Sequence, residues 1–355
     1  MTAVDGQRKE PVLSAVSTSI AVAPQPTAAL APRHCATPVL SVVIVNYRQW
    51  DKTEQLVRHL QNAECVKNGF AEIVIVDNNS PPHPATKRLR RMPNVSVRLW
   101  KQNHGFARAV NEGCRLSMGD WLLLLNADTT PADDFLDDVA NRLNRLDAKA
   151  GIVGFHLRNS DGTRQLSTGS FPTLASTLAR LILPRSRRKY QVVTGDLPTP
   201  VEWVTGCCLL IRQQCLREAG GLDEHFFLYY EDVDLCRRAA ERGWSVWFDP
   251  GPTIVHHHPL HQRAVPAVLR MVTRHSLMVY AKKHWPSWQF RTLNRIVQAE
   301  ALLRSWNARR IGDLADARTF DTLGRICADM RNDDGQSAHE RITNAVRRID
   351  VRVGV

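Results

Sequence analysis

The hydrophobic pattern is strongest between residues 38 and 131, where short apolar runs alternate with segments of helical period. Residues 39–47 (VLSVVIVNY), 71–76 (AEIVIV) and 121–125 (WLLLL) are β-branched or continuously apolar, the pattern of strands buried on both faces, and residues 95–100 read as a short strand. Between them, residues 51–63 place Leu56, Val57 and Leu60 on one face, and residues 86–91 and 105–116 also read as helices. Strands alternating with helices predict a mainly parallel α/β sheet with right-handed crossovers. Three of the apolar runs end in polar residues: Asn46, Asp77, and Asn126 with Asp128. In open α/β sheets ligands bind in the crevice beyond the carboxyl ends of strands, so these positions mark the expected site.

Further on, residues 132–146 predict a helix, residues 151–155 a short apolar segment, and residues 159–163 a polar turn before an Arg-rich loop at 185–189. Residues 201–211 (VEWVTGCCLLI) predict one strand in which Gly206 permits a close backbone approach. An aromatic run at 226–230 leads into the acidic helix start Glu231-Asp232-Val233-Asp234, with that helix ending at Gly243. Residues 244–248 and 253–255 read as two more strands, followed by His256-His257-His258. From Val265 only helices are predicted, 265–284 and 288–310, with a polar tail after about Asp313. In the second of these helices Phe290, Leu293, Ile296, Val297, Leu302, Leu303 and Trp306 alternate with Arg291, Arg295, Arg304, Arg309 and Arg310. That face can pack on the preceding domain or lie against a membrane surface, and the sequence leaves both open.

Composition narrows the class. At 355 residues and 43% hydrophobic, the chain can bury a sizeable core, in one large domain with appendages or two modest ones. Residues 1–37, rich in Ala, Pro, Ser and Thr, predict a disordered tail, and the apolar stretch at 13–23 is too short and too broken to span a bilayer. The net charge of +12 and the pI near 9.6 suggest an anionic partner: nucleic acid, a membrane surface or a phosphorylated substrate. No basic stripe interleaved with aromatics accompanies the charge, which argues against nucleic acid. The eight cysteines form no CxxC pair and no zinc spacing, consistent with a reducing, cytoplasmic setting. A dinucleotide oxidoreductase is disfavoured because GxGxxG does not follow the first strand.

Each candidate residue has a structural reading beside a chemical one. Asp77 can cap a turn, or accept a hydrogen bond from a pyrimidine N3 or a ribose hydroxyl. Gly105, within Asn103-His104-Gly105-Phe106-Ala107-Arg108-Ala109-Val110-Asn111, can be a simple turn or leave backbone N–H groups free for a phosphate. Asn126 and Asp128 occupy alternate positions and so point to one side, which suits a divalent cation bridging a diphosphate. Glu231, Asp232 and Asp234 can offset a helix dipole, or supply a general base. One of the three histidines at 256–258 can complete a metal site.

Together these segments resemble the family 2 glycosyltransferases of GT-A fold, most closely their bacterial rhamnosyltransferase-like branch. The resemblance rests on residues 41–47 (SVVIVNY), 75–80 (IVDNNS), 103–111 (NHGFARAVN), 124–128 (LLNAD), 203–206 (WVTG) and 227–235 (FLYYEDVDL). It implies a Rossmann-like nucleotide-binding domain over 38–264, C-terminal helices over 265–312 and a polar helical or flexible tail over 313–355. It further implies inverting transfer from a nucleotide sugar, dTDP-rhamnose or a UDP-hexose, to a hydroxyl of a cell-envelope glycan or a polyprenyl- or lipid-linked acceptor. Asp232 becomes the catalytic base, and Asp128 and His256 ligands to Mg²⁺ or Mn²⁺. Asn46, Tyr47, Asp77, Asn79, Asn103, Gly105, Asn111, Asn126, Asp128, Trp203, Gly206 and Glu231 become donor-binding residues. The expected setting is cytoplasmic, peripheral on the inner face of the plasma membrane, with homo-oligomers compatible. The sequence departs from the family at Asn126, where many relatives carry Asp, and at Pro259-Leu260-His261-Gln262, where Gly and Ser are usual. A silent nucleotide-sugar-binding module is the alternative.

Overall fold

The computed structural model describes residues 37–182, 193, 195–257 and 265–352. The segments at 13–23 and 185–189, His258, residues 259–262 and nearly all of the expected N-terminal tail therefore lie outside the described residues.

In chain order the first half forms β1 (Leu40–Asn46), α1 (Trp50–Leu60), α2 (Glu64–Lys67), β2 (Ala71–Asp77), α3 (Ala85–Leu89), β3 (Val95–Leu99), α4 (Phe106–Leu116), β4 (Trp121–Asn126), β5 (Thr129–Pro131), α5 (Phe135–Arg142) and β6 (Ala150–Arg158). The second half forms β7 (Arg164–Gln165), β8 (Thr168–Gly169), α6 (Leu174–Ile182), β9 (Thr199–Pro200), β10 (Trp203–Val204), β11 (Cys208–Arg212), α7 (Gln213–Ala219), α8 (Glu231–Glu241) and β12 (Ser245–His256). Four helices follow: α9 (Ala267–His284), α10 (Ser287–Arg310), α11 (Leu314–Arg331) and α12 (Gly335–Arg352).

Among the described residues the main sheet runs β3-β2-β1-β4-β11-β6-β12-β5, with β7 beside β6 and β9 beside β12. Strands β3, β2, β1 and β4 are parallel neighbours, as the alternating pattern predicts. Beyond β4 the sheet becomes mixed, because β11 runs antiparallel to both β4 and β6. The continuous apolar runs are explained by burial on both faces. On β1, Val43 packs into one core while Leu40, Val42 and Ile44 pack into the other; on β4, Leu122 and Leu124 face opposite Leu123 and Leu125.

Register positions the site. Parallel pairing sets Asn46 beside Asp77 and Val45 beside Asn126, so the polar residues ending β1, β2 and β4 share one edge of the sheet. Antiparallel β11 starts with Cys208 opposite Leu125, which brings the Gly206-Cys207 turn to that same edge.

Three local expectations are corrected. Residues 201–211 are two strands rather than one: β10 pairs with β8 in a separate small sheet, and the chain turns through Thr205-Gly206-Cys207 before joining the main sheet as β11. The two strands expected at 244–248 and 253–255 are one, β12, whose register against β6 shifts at Pro250-Gly251-Pro252 because proline cannot donate to the ladder. Past Asp313 the chain is not merely polar: Phe320, Leu323, Ile326, Met330, Ala338 and Ile342 enter the same core as Trp203 and Met271. Leu323→Ala should therefore cost about 2–5 kcal/mol of unfolding free energy, read from urea melts. A cost near zero would show that α11 contributes nothing to the core.

Candidate active site

At the end of β1, Asn46 is fully buried and fully engaged. Its amide donates to Asp77 Oδ1 at 2.6 Å and Ser80 Oγ at 3.0 Å, and its oxygen accepts from Thr53 at 2.7 Å. Asp77, only 3% exposed, accepts from the Ser80 N–H through its second oxygen at 2.9 Å. Asn46 thus aims and fixes Asp77, and each Asp77 oxygen keeps a second lone pair. Tyr47 follows with Arg48 stacked over its ring at 5.5 Å, and Asn79 adopts a left-handed φ of 73°.

The loop from Asn103 to Phe106 is locked rather than open to an anion. Asn78 donates to Asn103 Oδ1 and to the Gly105 carbonyl, both at 3.0 Å, and accepts from His104 N–H at 2.9 Å. Gly105 N–H donates to Asn103 Oδ1, and Phe106 N–H donates to the Phe227 carbonyl at 2.7 Å. The expectation that Gly105 frees N–H groups for a phosphate is corrected: the protein itself uses them. Gly105 is required for another reason, since its φ is 89° and a Cβ there would sit 2.8 Å from the Phe227 oxygen. The result fastens the start of α4 to the aromatic run ahead of α8.

Two other expected ligand residues have structural roles. Asn111 exchanges hydrogen bonds with the Leu222 backbone at 2.8 and 2.9 Å and donates to Glu224, stapling α4 to the turn after α7. Trp203 has no exposed surface and donates its indole N–H to the Ser170 carbonyl, so it supports the site from within the core.

The acids after the aromatic run diverge in role. Tyr229 and Tyr230 both take left-handed φ values, 71° and 69°, a conformation costing a non-glycine residue about 1–3 kcal/mol, and their turn delivers Glu231 and Asp232 into the first turn of α8. Asp234 is fully buried among Arg238, Lys283 and His284. Burial alone would raise its carboxyl, but His284, Arg238 and Lys283 hold it below the usual range, and it ties α8 to α9. Asp232, 8% exposed, instead accepts from Gly206 N–H at 2.9 Å and from Val233 N–H at 2.8 Å. Glu231 is 4% exposed beside it.

The end of β4, which leads into Asp128, and Asp232 meet at the same turn: the Cys207 carbonyl accepts the Asn126 N–H at 3.0 Å, and its neighbour Gly206 donates to Asp232. Burial above all pushes the Cys207 thiol up, with Cys208, Asp128 and Asp232 adding to it. Asp128 Oδ1 lies 3.6 Å from His256 Nε2. Burial raises the Asp128 carboxyl, yet His256, and then Lys52, hold it below the ordinary carboxylate range. His256 Nδ1 in turn lies 3.0 Å from Gln165 Nε2, whose own Oε1 is buried without a hydrogen-bond partner among the described residues. Pairing of β12 with β5 places His256 opposite Thr129 and so builds the contact.

His257 bonds Thr130 and Ser160 instead, at 2.8 and 3.0 Å. With Asp128, Lys52 and His59 it walls a cavity of about 370 Å³ on one flank of the site, which Asp232 does not line. Lys52, Gln165 and Ser160 carried no sequence signal, since each is an ordinary polar residue until the fold brings it to Asp128.

The sequence pattern of glycosyl transferase family 2 matches residues 41–220, about half of the chain. The chain belongs to glycosyl transferase family 2. Its α/β fold, with a mixed sheet flanked by helices and helices at the C-terminus, is of the GT-A type. Within the family, the N-acetylglucosaminyl-diphospho-decaprenol L-rhamnosyltransferase of Mycobacterium tuberculosis is 25% identical over 287 residues, covering 76% of this chain and 92% of that protein. The rhamnosyltransferase WbbL of Escherichia coli is 26% identical over 154 residues, 42% of this chain and 57% of that protein. Among solved structures, GalNAc-T7 with UDP, GalNAc and Mn²⁺ aligns with a TM-score of 0.49 at 16% identity, over 70% of this chain and 51% of that one, so the chain spans about half its length. S. aureus TarS 1–349 in complex with UDP-GlcNAc aligns with a TM-score of 0.47 at 13% identity, over 82% of this chain and 91% of that one. No helix among the described residues is long and apolar enough to cross a membrane.

Proposed function

We propose that this family 2 glycosyltransferase is a metal-dependent, inverting enzyme that moves rhamnose from dTDP-rhamnose, or a hexose from a UDP-sugar, to a hydroxyl of a cell-envelope glycan on a lipid-linked acceptor. The meeting of the β4 end, which leads into Asp128, with Asp232 at the Gly206-Cys207 turn carries the reading, with one carboxylate suited to the departing diphosphate and the other to the incoming hydroxyl. The relatives named for rhamnosyl transfer, one of them to a decaprenyl diphosphate-linked sugar, support the donor and acceptor classes. The enzyme would act in the cytoplasm, at the inner face of the plasma membrane.

Asp232 takes the proton of the acceptor hydroxyl as its oxygen attacks the anomeric carbon. The bond from that carbon to the diphosphate oxygen breaks on the opposite face, its electron pair leaves with the nucleoside diphosphate, and the configuration inverts. Tyr47, Asp77 and Asn79 would line the nucleotide end of the cleft, with Asn46 and Asn103 holding Asp77 and the Gly105 loop in place behind them, and Asn126, Gly206 and Glu231 would line the sugar end.

Among the described residues no cluster of three or more His, Cys, Asp and Glu side chains is arranged for a metal. The Asp128–His256 pair nevertheless fits a cation of the Mg²⁺ or Mn²⁺ class that draws its remaining ligands from the diphosphate and water. Such a cation supplies positive charge to the leaving diphosphate. Gln165 decides whether His256 can serve as a ligand. The Gln165 Nε2 lies against His256 Nδ1, with the Gln165 Oε1 unpartnered among the described residues; rotating the amide to place Oε1 on Nδ1–H would fix the His256 tautomer whose Nε2 lone pair is open to a cation beside Asp128. Gln165→Leu should weaken the apparent Mn²⁺ affinity about 10–100-fold, read from activity against metal concentration. Unchanged metal dependence would remove Gln165 from the site.

The test of the function is incubation of the full chain with dTDP-rhamnose and a panel of UDP-sugars, a short-chain polyprenyl diphosphate-linked N-acetylglucosamine and Mn²⁺ or Mg²⁺, with products resolved by mass spectrometry. A glycosylated product of inverted configuration is expected. Donor-dependent thermal stabilisation without product would indicate a silent binding module, and neither stabilisation nor product with any donor would overturn the reading.

A further inference from the structure

Helix α10 is apolar on two sides, and its packing explains only one. Phe290, Leu293, Val297, Ala301 and Ala308 are buried against α9 and α11. On the other side Trp288, Leu302, Leu303 and Trp306 are 61–68% exposed, and Ile311 and Leu314 extend the surface past the helix end at 70% and 59%. Residues 288, 291, 295, 302, 306 and 310 recur at steps of three, four and seven, so Trp288, Arg291, Arg295, Leu302, Trp306 and Arg310 form one stripe. From Trp288 to Trp306 it is about 27 Å long at 1.5 Å per residue.

Along α10 itself the outward charge is positive, and acids return only past its end, where Asp313 and Asp316 lie beside Ile311. Arg291, Arg295, Arg309 and Arg310 are exposed, and the helix's only acid, Glu300, is turned away into pairs with Arg274 and Arg304. Arg309 is paired with Asp321, and Arg310 lies over the Trp306 ring at 5.7 Å. Acids begin again only at Asp313, which caps α11. A helix with tryptophans among leucines and arginines suits the boundary of a bilayer, where indoles sit at headgroup depth and guanidinium groups reach outward to lipid phosphates. A second copy docked on this face by a two-fold axis would set arginine against arginine.

We infer that the outward face of α10, with Ile311 and Leu314, is a docking surface for an anionic phospholipid bilayer, on which the helix lies flat. The surface lies within a bounded distance of the site: from His257 to Val265 are eight residues, at most about 28 Å, and Val265 lines a cavity with Leu303 and Ile311. An acceptor anchored in the same leaflet would thus be within reach of the cleft. The inference deepens the membrane placement proposed above, but its test requires neither donor nor acceptor.

The full chain is sedimented with vesicles of phosphatidylcholine alone and of phosphatidylcholine with phosphatidylglycerol. Binding is expected to the anionic vesicles, to weaken with added salt, and to fall by at least about tenfold in Trp288→Ser/Trp306→Ser and in Arg291→Glu/Arg295→Glu. These side chains are exposed, so both variants should melt like the wild type and glycosylate a short-chain, detergent-dispersed acceptor at wild-type rates. Wild-type chain left in the supernatant with both vesicle types would overturn the inference, as would variants that sediment like the wild type. A concentration-dependent dimer abolished by the tryptophan variant would assign the face to a second copy instead. Vesicle binding without transfer by the wild type would sink the functional reading alone.

Discussion

Asp232→Asn is expected to lower sugar transfer by about a thousandfold or more while leaving nucleotide-sugar affinity nearly unchanged. The expectation rests on placement. The two carboxylate oxygens are held by separate backbone donors, Gly206 N–H and Val233 N–H, in the first turn of α8. A carboxylate fixed at both oxygens keeps lone pairs aimed at one region, as a base requires, whereas an amide of the same size can no longer take a proton. The loss should therefore appear in kcat, with the donor dissociation constant close to wild type and the melting temperature lowered only by the one backbone N–H that loses its acceptor. Glu231→Gln is the necessary control, because Glu231 is buried beside it. Near-normal turnover in Asp232→Asn, or collapse in the Glu231 variant alone, would move the base elsewhere.

Asp128→Ala should be comparably damaging, by about a hundredfold to a thousandfold, through a different parameter. Its carboxylate is the acid at the end of β4, 3.6 Å from His256 and under the influence of Lys52. Asn126 supplies no charge, so Asp128 carries the negative side of the donor pair. Removing it leaves His256 as a lone protein donor, and the concentration of Mn²⁺ needed for half-maximal rate should rise steeply. His256→Ala should act in the same direction with a smaller effect, since a neutral ligand is lost. A variant lacking Asp128 that kept both its rate and its metal response would exclude this carboxylate from the diphosphate end of the cleft.

The parallel half of the sheet, β1 to β4, was legible in the sequence because its interactions are local in pattern. Runs such as residues 121–125 must be buried on both faces, and the polar residues that stop them must fall at strand ends, so Asp77 and Asp128 could be located without coordinates. Asn111 and Trp203 were misjudged for a common reason: nothing in the sequence distinguishes an amide or indole spent on a distant carbonyl from one facing a ligand. Gly105 was found for the wrong cause, as the residue it must avoid, Phe227, lies more than a hundred positions away. The tail expected to be polar and either helical or flexible is helical, and what the sequence did not show is that its few apolar residues fill a core that only exists once α9 and α10 are in place. Arg347 of α12 even returns to donate to the Asn103 carbonyl at 3.0 Å.

What the sequence by itself determined is the alternation of strands and helices from β1 to β4, the carboxyl-end placement of the acids and the family. Periodicity and strand-end chemistry are properties of contiguous residues. Only the tertiary structure decided which acids act together. Antiparallel insertion of β11 beside β4 brings Gly206-Cys207 to the edge that carries Asp128, and the left-handed Tyr229-Tyr230 turn swings Asp232 onto it while Asp234 is consumed by Arg238, Lys283 and His284. Likewise, burial of one face of α10 is what leaves Trp288 and Trp306 outside. Those choices depend on strand register and helix packing between residues far apart in the chain, which hydrophobic pattern alone does not encode.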